Sequence, residues 1–245
     1  PGDYPWTRTI DRPIMRIGIL KCGQSPEVLR GELGDYDTMF ERLLAGRGFD
    51  FATWHVEAME FPASVHEADG WLLTGSRHGT YEEHAFIPPL EDFIRRAYAA
   101  GVPLVGICFG HQIIAQALGG RVEKFPGGWS IGPQDYDFDG ETVTLNAWHQ
   151  DQVVERPQDA QVVASSGFCT NAALVYGDRA FTVQAHPEFD DAMIHGLIEH
   201  RSDTVPSELV AEALTHMDDA AQSKLIADRI EAFFKQPRAI SRGAA

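Results

Sequence analysis

Within nine positions the chain passes from an apolar run, Val102-Pro103-Leu104-Val105, through Gly106-Ile107-Cys108-Phe109-Gly110 into the helical pattern of residues 110–118. This stretch restricts the fold more than any other. A strand must end, turn sharply and continue as a helix, and the glycines two places either side of Cys108 supply the room such a turn needs. The geometry lifts Cys108 above the end of a sheet, and the helix N-terminus beneath it favours an anionic sulfur. The plainer reading is a core cysteine, because a free cysteine often behaves as a small buried hydrophobe.

A second stretch weighs against that plainer reading. Residues 180–184, Ala-Phe-Thr-Val-Gln, form a short strand pattern that leads into Ala185-His186-Pro187-Glu188-Phe189. Residues two apart in extended or turn backbone project to the same side, so His186 and Glu188 face one site. Cysteine, histidine and an acid are the parts of a thiol triad: nucleophile, general base, and the group that fixes the imidazole tautomer.

On these residues the chain resembles the class I (triad-type) glutamine amidotransferases. Gly106-Ile107-Cys108-Phe109-Gly110-His111-Gln112 matches the family's G-x-C-x-G-x-Q, and Gln184-Ala185-His186-Pro187-Glu188 matches its Q-x-H-P-E. The likeness spans roughly residues 15–200 and is strongest to stand-alone GMP-synthase-like members and to γ-glutamyl peptidases. It implies a flavodoxin-like α/β fold: a mostly parallel central sheet with helices on both faces, a small antiparallel excursion and a helical C-terminal tail. It also implies an oxyanion hole from the N–H groups of Gly75 and Phe109. Thr74-Gly75-Ser76 keeps only the central glycine of the family's Gly-Gly-Pro-like turn, which leaves the loop conformation open. Gln112 stands one turn along the helix from Cys108, on the same face, and the family's glutamine there contacts substrate. Trp148-His149-Gln150-Asp151 resembles the family's substrate-holding S-H-x-D loop, with Trp148 in place of a small residue; His149 is either part of that loop's function or a surface histidine.

Composition narrows the rest. The 245 residues, 44% of them hydrophobic, suffice for one sizeable α/β core. A formal charge of −16 repels phosphate backbones and acidic lipid surfaces, which argues against nucleic-acid and membrane partners, although it also serves solubility. No apolar run approaches the ~20 residues that cross a bilayer. Three scattered cysteines, Cys22, Cys108 and Cys169, do not make a disulfide framework, and a working thiol suits a reducing cytoplasm. Residues 1–14 lack periodicity and read as a leader or flexible arm, with an ordered arm as the rival; Met15 opens the first clean strand.

From there strand and helix patterns alternate: a helix over 35–46, strands at 51–54 and 70–74, and an amphipathic helix over 89–100. Such alternation implies a mostly parallel sheet whose active residues sit at the carboxyl ends of strands, where Gly75, Cys108 and His186 all fall. Asp139-Gly140 marks a hairpin turn between 134–138 and 141–145. Residues 15–245 read as a single domain whose helical extension starts at about 201. Its stripes (Leu209, Val210, Ala213, Leu214 and Leu225, Ile226, Ile230, Phe233) suit either core packing or an oligomer contact.

No Cys/His pair has zinc-ligand spacing, and Pro126-Gly127-Gly128 lacks the ending of a phosphate loop, so cofactor-free and metal-free chemistry is expected. Three functions stand. The first is a glutaminase that hydrolyses the γ-amide of glutamine through a γ-glutamyl thioester and delivers ammonia to a separate synthase. The second is a stand-alone hydrolase of γ-glutamyl peptides or amines. The third is a silent binding or regulatory subunit. The expected partner is a small glutamine-like or γ-glutamyl substrate, with a synthase chain or a second copy as protein partners.

Overall fold

Short strands buried along their length build the centre of the molecule. The computed structural model describes residues 14–217 and 221–238, so nearly all of the expected arm, 1–13, lies outside the described residues. The first half carries β1 (Met15–Leu20), α1 (Glu27–Leu33), α2 (Tyr36–Leu43), β2 (Phe49–Trp54), β3 (Gly70–Leu73), α3 (Ile87–Ala100), β4 (Leu104–Ile107) and α4 (Phe109–Ala117). Then come β5 (Arg121–Lys124), β6 (Ser130–Phe138), β7 (Glu141–His149), β8 (Asp151–Glu155), β9 (Gln161–Ala164), β10 (Ala173–Tyr176) and β11 (Ala180–Val183). Three helices follow: α5 (Asp191–Arg201), α6 (Ser207–Thr215) and α7 (Ser223–Lys235).

The main sheet has the order β2-β1-β3-β4-β11-β10-β9. β2 through β11 in that order are parallel, and β10 and β9 continue antiparallel. Side chains alternate across it, as the pleat requires. Trp71, Leu73 and Leu104 join a core with Phe93 and Ile94 of α3 and Ile113 and Ile114 of α4. Leu72, Val105 and Ile107 join the opposite core with Phe40 of α2 and Ile226, Ile230 and Phe234 of α7. The sheet is therefore covered on both faces, as expected.

Local chemistry sets the helix ends. Asp35 caps α2 in a reciprocal box with Thr38, which places the expected 35–46 helix at Tyr36–Leu43. Pro88 sits in the first turn of α3, and Gly101, at φ 73°, closes it. The tail stripes resolve as packing. Leu225, Ile226, Ile230 and Phe233 lie against the second core, while Leu209, Val210 and Ala213 pack with Ile131 and Val205. Leu214 alone of that set is exposed, at 44%.

The antiparallel excursion consists of two ribbons, β5–β8 and β6–β7. The β6–β7 hairpin turns at Asp139 and Gly140, both at positive φ (53° and 93°), the conformation of the tightest two-residue turns. It runs nine residues a side, longer than the 134–145 pattern indicated, and its far end carries Trp148 and His149.

Candidate active site

β3, β4 and β11 lie side by side, with Leu73 paired to Gly106 and Ile107 to Val183. Their carboxyl ends therefore bring Gly75, Cys108 and His186 to one edge. Cys108 holds φ 53° and ψ −103° between β4 and α4, a left-handed conformation that L residues adopt only under constraint. The constraint comes from the neighbouring glycines. A Cβ on Gly106 would lie 2.4 Å from the Gly110 carbonyl oxygen, and one on Gly110 would lie 2.3 Å from that of Leu73. The Cys108 N–H donates to Val183 O at 2.9 Å, which ties the turn to the strand that leads to His186.

The His186 ring is buried (4% exposed) and donates from Nδ1 to Glu188 Oε1 at 2.7 Å. Phe189 stacks on it at 3.9 Å with rings 2° from parallel, and the His186 N–H donates to Asn146 O at 2.8 Å. Burial alone would push this imidazole's pKa down. The Glu188 carboxylate and the Cys108 sulfur, both bonded to it, outweigh burial and raise it to about 10. Both partners favour the protonated ring.

His149 shows the opposite behaviour. Burial, and then the charge on His186, hold it down at about 3, so it stays neutral. Its Nδ1 donates to the Asp151 carbonyl at 3.2 Å, which makes Nε2 an acceptor; Nε2 has no partner among the described residues. A cleft of about 280 Å³ is lined by Cys108, Gln112, Trp148, His149, His186 and Phe189, among others. Gly75 abuts both His186 and Cys108: a Cβ there would meet His186 Cε1 at 3.1 Å and Cys108 Cβ at 4.0 Å. Phe109 opens α4, so its N–H belongs to the unpaired first turn, while its ring packs on Phe86 in the core.

Gln112 is more deeply engaged than a residue waiting for substrate. Its amide nitrogen donates to Asp151 O at 2.9 Å and to Gln184 Oε1 at 3.1 Å, joining α4 to the start of β8 and the end of β11.

Several contributors were hidden in the sequence. The Thr74 hydroxyl accepts from Cys22 N and donates to Gly75 O, each at 3.0 Å, so the residue that breaks the expected loop pattern braces the loop instead. Gly23 lets the first strand's loop lie against it, since a Cβ there would sit 2.8 Å from Ser76 Cα. Phe189 had one signal, its place directly after Glu188 in a turn.

The structure also gathers His78, Glu82 and His84, whose ligand atoms lie within 4.8 Å of one another, a metal-type cluster that spacing did not reveal. Hydrogen bonds already serve these groups: His78 Nε2 to Glu57 and His84 Nε2 to Glu82, both 2.8 Å. Cys22 and Cys169 are buried free thiols; burial raises the pKa of both, that of Cys169 to about 12.

Comparison with known proteins identifies the family. The family model for glutamine amidotransferase class-I matches residues 35–195. The chain is 26% identical to gamma-glutamyl peptidase 2 of Arabidopsis thaliana over 218 residues, 82% of this chain and 88% of that one. It is 32% identical to the glutamine-hydrolyzing GMP synthase of Edwardsiella ictaluri over 176 residues, 63% of this chain and 32% of that one. Among solved structures, a glutamine amido transferase from Methylobacillus flagellatus superposes with a TM-score of 0.74 at 20% identity, covering 95% of this chain and all of that chain. With the matched model spanning well over half its length, the chain belongs to the glutamine amidotransferase class-I family.

Proposed function

We propose that this chain hydrolyses the γ-amide bond of γ-glutamyl compounds, with Cys108, His186 and Glu188 as its triad. The observation that carries the reading is the buried His186 ring, bonded to Glu188 at 2.7 Å and flanked by Cys108 on its left-handed turn. In this mechanism the sulfur attacks the γ-carbonyl, and the N–H groups of Gly75 and Phe109 receive the oxyanion. The C–N bond breaks as His186 gives its proton to the departing nitrogen, which leaves a γ-glutamyl thioester. His186, now neutral, takes a proton from water; the hydroxide attacks the thioester and glutamate leaves. His149 Nε2, an acceptor, suits the substrate's α-ammonium group; Gln112 holds that wall in place, and Trp148 shapes it.

Two fates of the nitrogen divide the readings. End-to-end correspondence with gamma-glutamyl peptidases, 88% of one and 92% of another, favours a stand-alone γ-glutamyl hydrolase. Likeness to GMP synthases, which covers only about a third of those chains (37% and 32%), favours a glutaminase that passes ammonia to a separate synthase. We place the first ahead. Among the described residues no helix is long and apolar enough to cross a membrane.

The test is glutamate release by the full chain, offered γ-glutamyl dipeptides and glutamine beside Cys108→Ala. We expect turnover of a dipeptide that falls by about 10⁴-fold or more in the variant. Turnover of glutamine alone would move the second reading ahead, and turnover indifferent to Cys108 would overturn both.

A further inference from the structure

A second cavity, about 480 Å³, opens beside the catalytic cleft, and the two share Gln24, Arg77 and Arg201 in their walls. Its charged lining is Lys21, Arg30, Arg77 and Arg201 against Glu27 and Glu57. Most of these charges are already matched. Lys21 lies 2.5 Å from Asp35 and 3.3 Å from Asp37, and Arg30 donates to Ser25 O at 2.7 Å and sits 3.6 Å from Asp35. Glu57 is engaged by His78. Arg77 and Arg201 are different: among the described residues neither has an ion pair or a side-chain hydrogen bond, and both are exposed.

Two guanidinium groups therefore stand unmatched on the wall between two cavities, in a chain of net charge −16. Such a charge repels anions from most of the surface. A guanidinium presents a planar fork of donors that fits a carboxylate in two-point fashion. The volume lies within the range of small-ligand sites, and through the shared wall the cavity adjoins the cleft that Cys108 lines.

We propose that this second cavity receives the leaving-group half of the substrate, and that this half carries a carboxylate held by Arg77 and Arg201. The substrate class is then γ-glutamyl-amino acids and short γ-glutamyl peptides, joined through the amine of their second residue. The inference rests on the γ-glutamyl hydrolase reading above. Ammonia or an uncharged amine would leave both guanidinium groups unmatched. No chemistry is added: the same C–N bond breaks, and the amine leaves with the proton from His186.

The experiment compares γ-Glu-Gly with γ-Glu-glycinamide, which differ only in carboxylate against carboxamide, by kcat/KM of glutamate release from the full chain. We expect γ-Glu-Gly to be preferred by about 10- to 100-fold, the range for hydrogen bonds to a charged group. In the double variant Arg77→Gln/Arg201→Gln that ratio falls towards one. A ratio near one in the unsubstituted chain overturns the proposal. So does a variant that loses activity on both substrates equally, because the arginines would then hold the glutamyl group's own carboxylate. If nothing is turned over, the hydrolase reading fails, and calorimetry on Cys108→Ala decides the cavity separately. Tighter binding of γ-Glu-Gly than of γ-Glu-glycinamide upholds the carboxylate site, and equal binding overturns it.

Discussion

The turn that carries Cys108 and the loop that carries Gly75 meet at the same point, yet they are held in different ways. In the Cys108 turn the constraint is steric and comes from backbone: Gly106 and Gly110 each leave no space for even one carbon. In the Gly75 loop the constraint is a hydrogen bond from one side chain, Thr74, followed by the exposed Arg77 and partly exposed His78. The first region fixes the Cys108 sulfur, the nucleophile of the proposed mechanism, and the second offers surface at Arg77 and His78 that can be varied without moving it. This division fits a protein whose chemistry is shared by a family while its substrate is its own.

Breaking the steric side should have the broadest effect, on stability and rate together. Gly110→Ala puts a carbon 2.3 Å from Leu73 O, so either β3 or α4 must move. We expect a loss of about 1–3 kcal/mol of stability in a denaturant melt, together with a fall in kcat of ~10²-fold from the displaced sulfur. An alanine variant as active and stable as the parent would show that the turn is looser than its geometry.

A variant that spares the backbone sharpens the same side. Because Glu188 helps raise His186 to about 10, the cationic ring should persist well above neutral pH and be lost as pH climbs through that value. A folded pKa above the unfolded value near 6.5 means that His186 adds stability in full below about 6.5, and that this stability drains away as pH rises towards 10. Glu188→Gln should therefore move the alkaline limb of kcat/KM towards neutrality and lower the rate by about 10²–10⁴-fold. An unmoved limb would assign that titration elsewhere.

The smallest effect belongs to the loop. Thr74→Val keeps the shape, leaves the Cys22 N–H without its acceptor, and frees the Gly75 peptide. We expect about 1–3 kcal/mol of lost stability and a drop in kcat of roughly 10-fold with KM little changed, well short of the 10²–10³ for removing an oxyanion donor. A change in KM alone would mean that the loop binds substrate and does not steady the reaction.

The same contrast explains what was legible in the sequence. The alternating pattern and the two motifs located the parallel sheet, the elbow and the histidine strand, because short-range sterics and hydrophobic period dictate them. α1 and α5 did not stand out. α5 has no clean apolar stripe, and its burial depends on Gly196 meeting Leu29 of α1, a contact 167 positions apart in the chain. Likewise Thr74 looked like a defect in a motif, since its distant partner, Cys22 N, reaches it only once β1 and β3 are paired. The His78–Glu82–His84 cluster is a product of loop conformation, and Arg201, at the end of α5, reaches the cleft only through tertiary packing; local pattern encodes neither.

A cysteine at φ 53° holds a conformation that a glycine would adopt without strain, at a cost of about 1–3 kcal/mol. Over evolutionary time the position is therefore under a steady pull towards residues that tolerate it, with a gain in stability at the first step. A descendant kept only as a scaffold would be expected to yield to that pull early, and this chain has not.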